Sequence, residues 1–194
     1  MPFQPASIHF DLPDWLEDFA QSYIPTTGLD ARMAFVISAA KKNIEEDTGG
    51  PFAAGVFEVE TGRLISLGVN LVTTQGMSML HAEIVALAVA QRKLGSYDLG
   101  AEPIPPLELL TSTEPCGMCL GAIPWSGVRH VVTAAREEDA NAIGFDEGPK
   151  PADWVASLNS RGIKVNTDIQ RELASSVLKL YLKKNGHIYN TGDR

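Results

Sequence analysis

Apolar and polar positions change their spacing several times along the chain, and each change predicts a new element. Over residues 29–46 the apolar side chains recur at helical spacing, and the glycines and proline at 49–51 end that helix. Residues 53–60 and 64–72 are rich in apolar side chains and are separated by a short turn at 61–63, which predicts a β-hairpin. The apolar positions of the helix are Met33, Val36, Ile37, Ala40 and Ile44.

The second half of the chain alternates strands with helices. Residues 81–95 are apolar at almost every position, which is typical of a helix that is buried on most sides. A shorter amphipathic helix is predicted near the start of the chain, over residues 12–24. The other predicted strands cover residues 107–111, 128–134 and 163–165. The other predicted helices cover residues 116–126, 136–142 and 151–160. A last helix is predicted to be capped by Thr167 or Asp168 and to end near Lys184.

The order of these elements predicts an α/β fold. The hairpin supplies an antiparallel pair of strands, and strand-helix-strand crossovers supply parallel ones. We therefore expect a three-layer α/β/α sandwich built on a five-stranded mixed sheet. The 194 residues suit a single domain, in which residues 1–28 form an N-terminal extension and residues 185–194 a C-terminal tail.

Composition narrows the class of protein. Apolar residues make up 44% and charged residues 21% of the chain, which is an ordinary balance for a globular domain. No apolar run is long enough for a membrane span and residues 1–5 do not resemble a signal peptide, so we expect a cytoplasmic protein that binds no membrane. The formal net charge of −8, with basic residues scattered among acids, argues against nucleic-acid binding and favours a small-molecule substrate.

Two short motifs carry the chemistry. His81-Ala82-Glu83 opens the apolar helix, and Pro115-Cys116-Gly117-Met118-Cys119 opens the next helix. Together they match H-x-E followed by P-C-x-x-C, which is the established pattern of zinc-dependent nucleobase deaminases. We expect His81, Cys116 and Cys119 to hold one Zn²⁺ per chain, because a catalytic zinc has three protein ligands and keeps its fourth position for water. The two helix N-termini favour the thiolate form of the cysteines.

Glu83 is expected to be a proton shuttle. It lies two residues beyond His81, so its side chain diverges from the ligand direction by more than a quarter of a helical turn. It can therefore face the zinc-bound water, take a proton from it and pass a proton to a ring nitrogen of a base before ammonia leaves. The pattern thus indicates a hydrolytic deaminase.

Each motif taken alone has a simpler explanation. A single C-x-x-C can be a redox pair or half of a structural zinc site, and His-Ala-Glu can be an ordinary helix start. A structural zinc site needs a fourth Cys or His, but the chain has only two cysteines. His9, His130 and His187 show no ligand spacing, and His130 is expected in packing or at the surface. The two motifs together favour a catalytic site.

Further residues carry a resemblance to a known family. Gly49-Gly50-Pro51-Phe52, Asn70, the stretch at 115–125 and Ile143-Gly144-Phe145-Asp146-Glu147 accompany the two motifs. In these positions the chain resembles the cytidine deaminase-like superfamily, and within it the small bacterial guanine deaminases. The similarity runs from about residue 29 to residue 189. The zinc motifs are shared with tRNA adenosine deaminases and cytosine deaminases, whereas Gly-Phe-Asp-Glu is the more specific part.

The resemblance implies hydrolysis of guanine to xanthine and ammonia. By the same resemblance, Glu147 is a second acid that helps to protonate the departing amine, and the C-terminal tail closes the site with Tyr189. A homodimer is also implied. The remaining substrate contacts implied by the resemblance are Phe52 and Trp125 as walls of the ring, Asn70 as a hydrogen-bond partner of the purine, the backbone of Ala82, and Asp146 beside Glu147.

Alternatives remain open for both the substrate and the residues. The loop at 146–151 lacks the paired aspartate with an aromatic residue found in shorter members of the family, and the chain carries an N-terminal extension with Trp15. The resemblance to longer guanine deaminases of this type implies a side activity on aminotriazines such as ammeline. Guanosine, cytosine or another nucleobase is an alternative substrate. A tRNA adenosine deaminase is disfavoured by the net charge of −8, and a non-catalytic relative by the presence of Glu83. Core packing is the alternative for the two aromatic walls, and an ordinary turn for the loop acids.

Overall fold

The computed structural model describes residues 3–190, so residues 191–194 of the predicted C-terminal tail lie outside the described part. The elements follow nearly the predicted order. The helices are α1 (Asp14–Gln21), α2 (Leu29–Glu45), α3 (Val72–Gln75), α4 (Ala82–Leu94), α5 (Gly117–Ser126), α6 (Glu137–Asn141), α7 (Trp154–Asn159) and α8 (Arg171–Lys183). The strands are β1 (Ala53–Glu58), β2 (Leu64–Val69), β3 (Leu107–Thr113), β4 (His130–Ala135) and β5 (Lys164–Asn166).

The strands form a five-stranded sheet in the order β2-β1-β3-β4-β5. β1 pairs antiparallel with both β2 and β3, whereas β3 pairs parallel with β4 and β4 with β5. The predicted five-stranded mixed sheet is therefore confirmed. The β3–β4 register sets Leu109 opposite Val131 and Thr111 opposite Thr133. Because these strands are parallel, their carboxyl ends lie at one edge of the sheet, where the following helices begin.

Helices cover both faces of the sheet. Leu110 and Val132 belong to a buried cluster that includes α2 and α8, whereas their neighbours Leu109 and Val131 belong to a second cluster that includes α4, α5 and α7. Because successive side chains of a strand point to opposite faces, the central strands are buried on both sides. This burial explains why their sequences are almost continuously apolar, and it confirms the predicted α/β/α layers.

The close approach of α4 to the sheet depends on Gly68 of β2. A Cβ atom at residue 68 would lie 2.4 Å from Ala86 N and 2.5 Å from Ala82 O, so any larger residue would push α4 off the sheet. Ser66, also on β2, donates a hydrogen bond to Ala86 O at 2.7 Å. These contacts fix the start of α4, and with it the position of His81.

The N-terminal segment packs onto the same core. Leu16 of α1 is buried in the cluster that contains α2, and Trp15, Phe19 and Tyr23 pack against that cluster. The division of the chain into extension, domain and tail stays a prediction. Among residues 3–190, no helix is both long and apolar enough to cross a membrane.

Two details differ from the sequence prediction. The loop expected before residue 81 contains the short helix α3, which ends at Gly76 in the left-handed conformation, with φ 63°. The predicted cap of the last helix is wrong, because α8 begins after Gln170. Asp168 instead forms an ion pair with Arg136, with Nε 2.7 Å from Oδ1.

A buried charge pair lies at the amino end of β3, away from the helix starts. Arg32 of α2 donates a hydrogen bond to Glu108, and both side chains are almost fully buried. His130 Nδ1 lies 2.9 Å from the second carboxylate oxygen of Glu108, and His130 Nε2 lies 2.8 Å from Asn166 Oδ1. The contact with Glu108 raises the pKa of His130. His130 is thus a partner in a polar network rather than simple packing.

We expect His130 to make the stability of the fold depend on pH. Its folded-state pKa lies above the value of an unfolded histidine, about 6.5. The stabilisation is therefore fully present below that value and is lost as the pH rises through the folded-state pKa. His130→Gln should lower the free energy of unfolding by roughly 1–2 kcal/mol at about pH 5.5 and by less at about pH 8.5, as measured by urea titration. His9→Gln, at an exposed histidine, is the control, and an equal loss at both pH values would contradict the role of His130.

Candidate active site

The residues that immediately precede α4 and α5 meet at the carboxyl end of β3. His81 immediately precedes α4 and Cys116 immediately precedes α5, and both residues have an extended backbone. Cys119 lies in the first turn of α5 and is fully buried. At each helix start the free N–H groups and the positive end of the helix dipole favour anionic ligands such as thiolates.

His81, Cys116 and Cys119 form a cluster of the metal-ligand type. Their ligand atoms all lie within 4.8 Å of one another, and His81 Nδ1 is 3.4 Å from Cys116 Sγ. Two ligands of one tetrahedral zinc, bonded at about 2.0 and 2.3 Å, lie about 3.6 Å apart. One imidazole and two thiols are also a donor set that zinc prefers, so these residues fit the ion. Glu83 is not a member of this cluster.

The two thiols are coupled to each other. A hydrogen bond with Cys119, assisted by His81, lowers the pKa of Cys116 to about 4 against the opposing effect of burial. The same bond between the thiols, together with burial, raises the pKa of Cys119. Such a pair holds one thiolate readily, and binding of a divalent cation favours loss of the second proton.

Two carboxyl groups lie beside this cluster. Glu83, in the first turn of α4, is 6% exposed, and burial raises its pKa. Glu147 is 8% exposed, and burial, with the negative charges of Cys116 and Glu83, raises its pKa to about 8. Lys150 acts in the opposite direction. A carboxyl group with a pKa near 8 holds its proton at neutral pH and can donate it.

These groups share a cavity of about 610 Å³, which is a suitable volume for a small molecule. Phe52, Phe145 and Tyr189 form an aromatic wall along it. The ring centroid of Phe145 lies 5.0 Å from that of Phe52 and 5.1 Å from that of Tyr189, in edge-to-face arrangements. Sequence reasoning did not single out Phe145, although it stands inside the Gly-Phe-Asp-Glu stretch.

Three buried polar atoms of residues that line the cavity have no hydrogen-bond partner within the described part of the chain. They are Asn70 Nδ2, Thr113 Oγ1 and the Tyr189 hydroxyl oxygen. Leaving such a group unpaired costs about 1–3 kcal/mol, so their convergence indicates a polar ligand. A planar heterocycle with ring nitrogens and exocyclic groups can satisfy them. Sequence reasoning missed Thr113, because a threonine at a strand end gives no distinguishing signal.

The loop that carries Glu147 is held against the second motif. Gly117 N donates to Glu147 O at 2.8 Å, and a Cβ atom at residue 117 would lie 2.4 Å from another backbone oxygen of that loop. Lys150 is largely buried, with its Nζ 3.0 Å from Glu137 Oε2 and 3.5 Å from Glu114 Oε2. No sequence pattern indicated this role for Lys150. The ion pairs anchor the loop, so the Glu147 carboxyl has a fixed position.

The C-terminal tail lies along the cavity, where residues 187–190 contribute to its lining. Tyr181 of α8 donates a hydrogen bond of 2.8 Å to a backbone oxygen at the start of this segment. Asn190 is joined twice to the loop before Glu147: its Oδ1 accepts from Asp146 N at 2.9 Å, and its Nδ2 donates to Gly144 O at 2.8 Å. The tail and the loop therefore form one continuous wall.

Some predicted contacts are not brought to the cavity. Trp125 is 86% exposed and does not line it, because it lies near the end of α5, two turns beyond the junction at Cys116. The prediction that Trp125 walls the substrate therefore does not hold within a single chain. Ala82 is buried and packs its methyl group in the core, which leaves only its backbone for a ligand. Asp146, in contrast, does line the cavity at its exposed rim, where its carboxylate accepts from Gly148 N at 2.9 Å, as in an ordinary turn.

Comparison with known proteins identifies the family. The family model for the cytidine and deoxycytidylate deaminase zinc-binding region matches residues 29–135, a range that includes both metal-ligand motifs. The chain therefore belongs to this family. It is a hydrolytic aminohydrolase, as its two motifs predict.

Individual relatives agree with this classification. The guanine deaminase of Bacillus subtilis (strain 168) is 40% identical over 111 residues, which cover 57% of this chain and 67% of that protein. A solved guanine deaminase from Nitrosomonas europaea is 44% identical, with a TM-score of 0.89 over 94% of this chain and 100% of the other. A protein solved in complex with 2,6-diaminopurine is 48% identical, with a TM-score of 0.88 over 94% of this chain and 96% of the other. The resemblance to small bacterial guanine deaminases is confirmed.

Proposed function

We propose that this chain is a guanine deaminase, which hydrolyses guanine to xanthine and ammonia with one Zn²⁺ per chain. The observation that carries the proposal is the presence of two buried carboxyl groups, Glu83 and Glu147, in the cavity beside the metal-ligand cluster. One acid suffices to activate water, and the second is suited to protonate a leaving amine. The relatives named as guanine deaminases, and the one bound to 2,6-diaminopurine, support a purine base as the substrate.

Glu83 serves as the first proton carrier in this proposal. His81, Cys116 and Cys119 would hold the zinc ion, which would supply an activated water when bound. Glu83 accepts a proton from that water and delivers one to a ring nitrogen of the base. Its burial supports this role, because a carboxyl group shielded from bulk water exchanges its proton with the substrate rather than with solvent. Its place outside the ligand cluster also supports a role as proton carrier rather than as metal ligand.

Glu147 serves as the second acid. Burial raises its pKa to about 8, so it carries a proton at neutral pH. That proton is available to the amino group as its bond to the ring breaks, and ammonia can then leave as a neutral molecule. The contacts of Gly117 and Lys150 with the loop support a fixed geometry for this transfer.

The base is held by aromatic packing and by hydrogen bonds to its edge. Phe52 and Phe145 contact the ring, and Tyr189 covers it from the tail. Asn70 donates from its Nδ2, whose lack of a partner among residues 3–190 supports the role. The backbone N–H of Ala82, at the start of α4, is a further donor.

The tail along the cavity favours a free base over a nucleoside, because residues 187–190 occupy one side of the cavity and leave less room for an attached ribose. Ammeline is a planar aminotriazine of similar size, and we propose it as a side substrate. Guanosine and cytosine are the nearer alternatives. Adenosine in tRNA is disfavoured by the formal charge of −8.

We expect the purified protein to release ammonia from guanine, more slowly from ammeline, and negligibly from guanosine, cytosine and adenine. The physical reason is the combination of a cavity walled on one side by the C-terminal tail with a second acid suited to a purine amine. The measurement is ammonia release at equal concentrations of these five compounds. Rapid turnover of guanosine or cytosine without turnover of guanine would contradict guanine as the substrate. It would still agree with a zinc-dependent deaminase.

The two carboxyl groups are expected to respond differently to substitution. Glu83→Gln should lower kcat by about 10³-fold or more, because the first proton transfer is lost, and should retain about one zinc per chain. Glu147→Gln should lower kcat by about 10–100-fold with zinc retained, since the leaving amine loses one proton donor. Ammonia release gives kcat, and metal analysis of the same samples gives the zinc content.

Glu172→Gln, at an exposed glutamate of α8, is the matched control for these variants and should behave as the wild type. Loss of zinc from Glu83→Gln would identify Glu83 as a ligand and overturn its assigned role. A wild-type kcat for Glu147→Gln would contradict the role of Glu147 as second acid and leave it as an acidic residue of an ordinary turn.

We also propose that the enzyme is a homodimer with α5 at its interface. α5 contains no charged residue; Trp125 on its outer face is 86% exposed, and Met118, which also lines the rim of the cavity, is 42% exposed. A Cβ atom at Gly121 would meet nothing within 4 Å, so this face is open. An exposed apolar helix face is typical of a subunit interface, and identical faces can pack about a two-fold axis. Trp125 then contributes to assembly rather than to the wall of the cavity.

Light scattering should therefore give a mass near twice the chain mass of 20.9 kDa. Trp125→Lys should shift the protein to the monomer, because a charge placed in an apolar interface has no partner. Ile24→Lys changes an equally apolar, 81% exposed residue of the N-terminal segment and should leave the dimer intact. A monomeric wild type, or a dimer insensitive to Trp125→Lys, would rule out this interface.

A further inference from the structure

The N-terminal segment reaches the substrate cavity through a series of hydrogen bonds. Trp15 Nε1 of α1 donates to Thr48 Oγ1 at 3.0 Å, and Thr48 Oγ1 donates to Asn43 Oδ1 at 2.7 Å. Asn43 Nδ2 then donates to Gly50 O at 2.8 Å and to Asn70 O at 3.0 Å. α1 and the loop after α2 are thus connected to the residue that we assign to base recognition.

The orientation of the Asn43 side chain is specified by this series. Asn43 lies on α2 and is fully buried, and both ends of its amide are used. If the amide turned over, its oxygen would face two carbonyl oxygens and its nitrogen would face the Thr48 hydroxyl. Because the Thr48 hydroxyl accepts from Trp15, its own proton remains directed at Asn43 Oδ1. The two carbonyl groups thus select the amide orientation, and the Thr48 hydroxyl, itself bound by Trp15, holds the amide in it.

The two carbonyl groups that Asn43 binds belong to the two segments on one side of the cavity. The segments also contact each other directly, since Asn70 N donates to Phe52 O at 3.0 Å. A Cβ atom at Gly49 would lie 1.9 Å from Asn70 O, so the backbones are packed as closely as glycine permits. The Asn43 amide bridges them at this point. The backbone of Asn70 is thus held by a bridge that does not itself line the cavity.

We propose that Asn43 is a positioning residue for base recognition, and that Trp15 and Thr48 of the N-terminal half hold its side chain in place. The inference rests on the proposed function in one respect, the binding of the base by Asn70. The metal-ligand cluster and both acids lie on other elements, at α4, α5 and the loop before residue 150. A disturbed bridge should therefore weaken substrate binding and leave the chemical step almost unchanged.

The central test compares Thr48→Val with Thr48→Ser. Thr48→Val keeps the shape of the side chain and deletes the hydroxyl, so it should raise KM for guanine about 5–10-fold and change kcat by less than about twofold. Thr48→Ser keeps the hydroxyl and should restore a KM near that of the wild type. None of the four side chains in the series is ionised, so the increase in KM should be the same at about pH 6.5 and about pH 8.5.

Tyr23→Phe is the matched control for a merely structural effect. The Tyr23 hydroxyl joins the same N-terminal segment to the turn after β1, by donating to Gly62 O at 2.9 Å. This variant also loses one hydrogen bond of the segment and should lower the unfolding temperature comparably, but its KM should not change.

Trp15→Phe deletes the first donor of the series and should raise KM less than Thr48→Val does, since the Thr48 hydroxyl can still reach Asn43.

A double-mutant cycle with Asn70→Ala separates positioning from general damage. If Asn43 acts through Asn70, adding Thr48→Val to Asn70→Ala should raise KM no further. Full additivity, equal KM values for Thr48→Val and the wild type, or equal increases for Thr48→Val and Thr48→Ser would each overturn the inference. Should Thr48→Val fail to fold, the same cycle with Trp15→Phe decides the question. A wild type that does not act on guanine would instead overturn the proposed function, a result seen before any variant is measured.

Discussion

The site depends on the meeting of two helix starts at the end of one buried strand. β3 is covered on both faces, so its carboxyl end is fixed, and Cys116 follows three residues after it. The other start, at His81, is fixed separately by the close contact of α4 with Gly68. A shift of either helix by a fraction of its turn would separate the imidazole from the thiols. The metal-ligand cluster is thus a direct product of core packing.

The same packing prepares the acids. Glu83 is buried because it lies in the first turn of a helix pressed against the sheet, and Glu147 because its loop is drawn onto α5 by Gly117 and Lys150. Burial raises the pKa of both groups, so the scaffold determines which of them carries a proton near neutral pH. The acid–base chemistry therefore depends on the fold, because exposing either carboxyl group to solvent would return its pKa towards the ordinary value for glutamate.

Local sequence was informative where a function depends on a few neighbouring residues. Cys116 and Cys119 share one helix start, and their spacing alone places both thiols on one side of the first turn. The outward position of Trp125 could not be predicted from local sequence. α5 is apolar on nearly all sides, so its pattern of side chains does not distinguish the buried face from the exposed one. Lys150 and Asn43 were missed for a different reason. Their partners lie on separate elements, and only the assembled fold brings them together.

The cavity lining combines several acids with no lysine or arginine among the residues that the structure describes. Lys150, the nearest amine to Glu147 in sequence, is engaged by Glu137 and Glu114. A phosphate group brought to this lining would find no lysine or arginine side chain to pair with, whereas an uncharged heterocycle needs none. The lining is therefore better matched to an uncharged base than to a nucleotide.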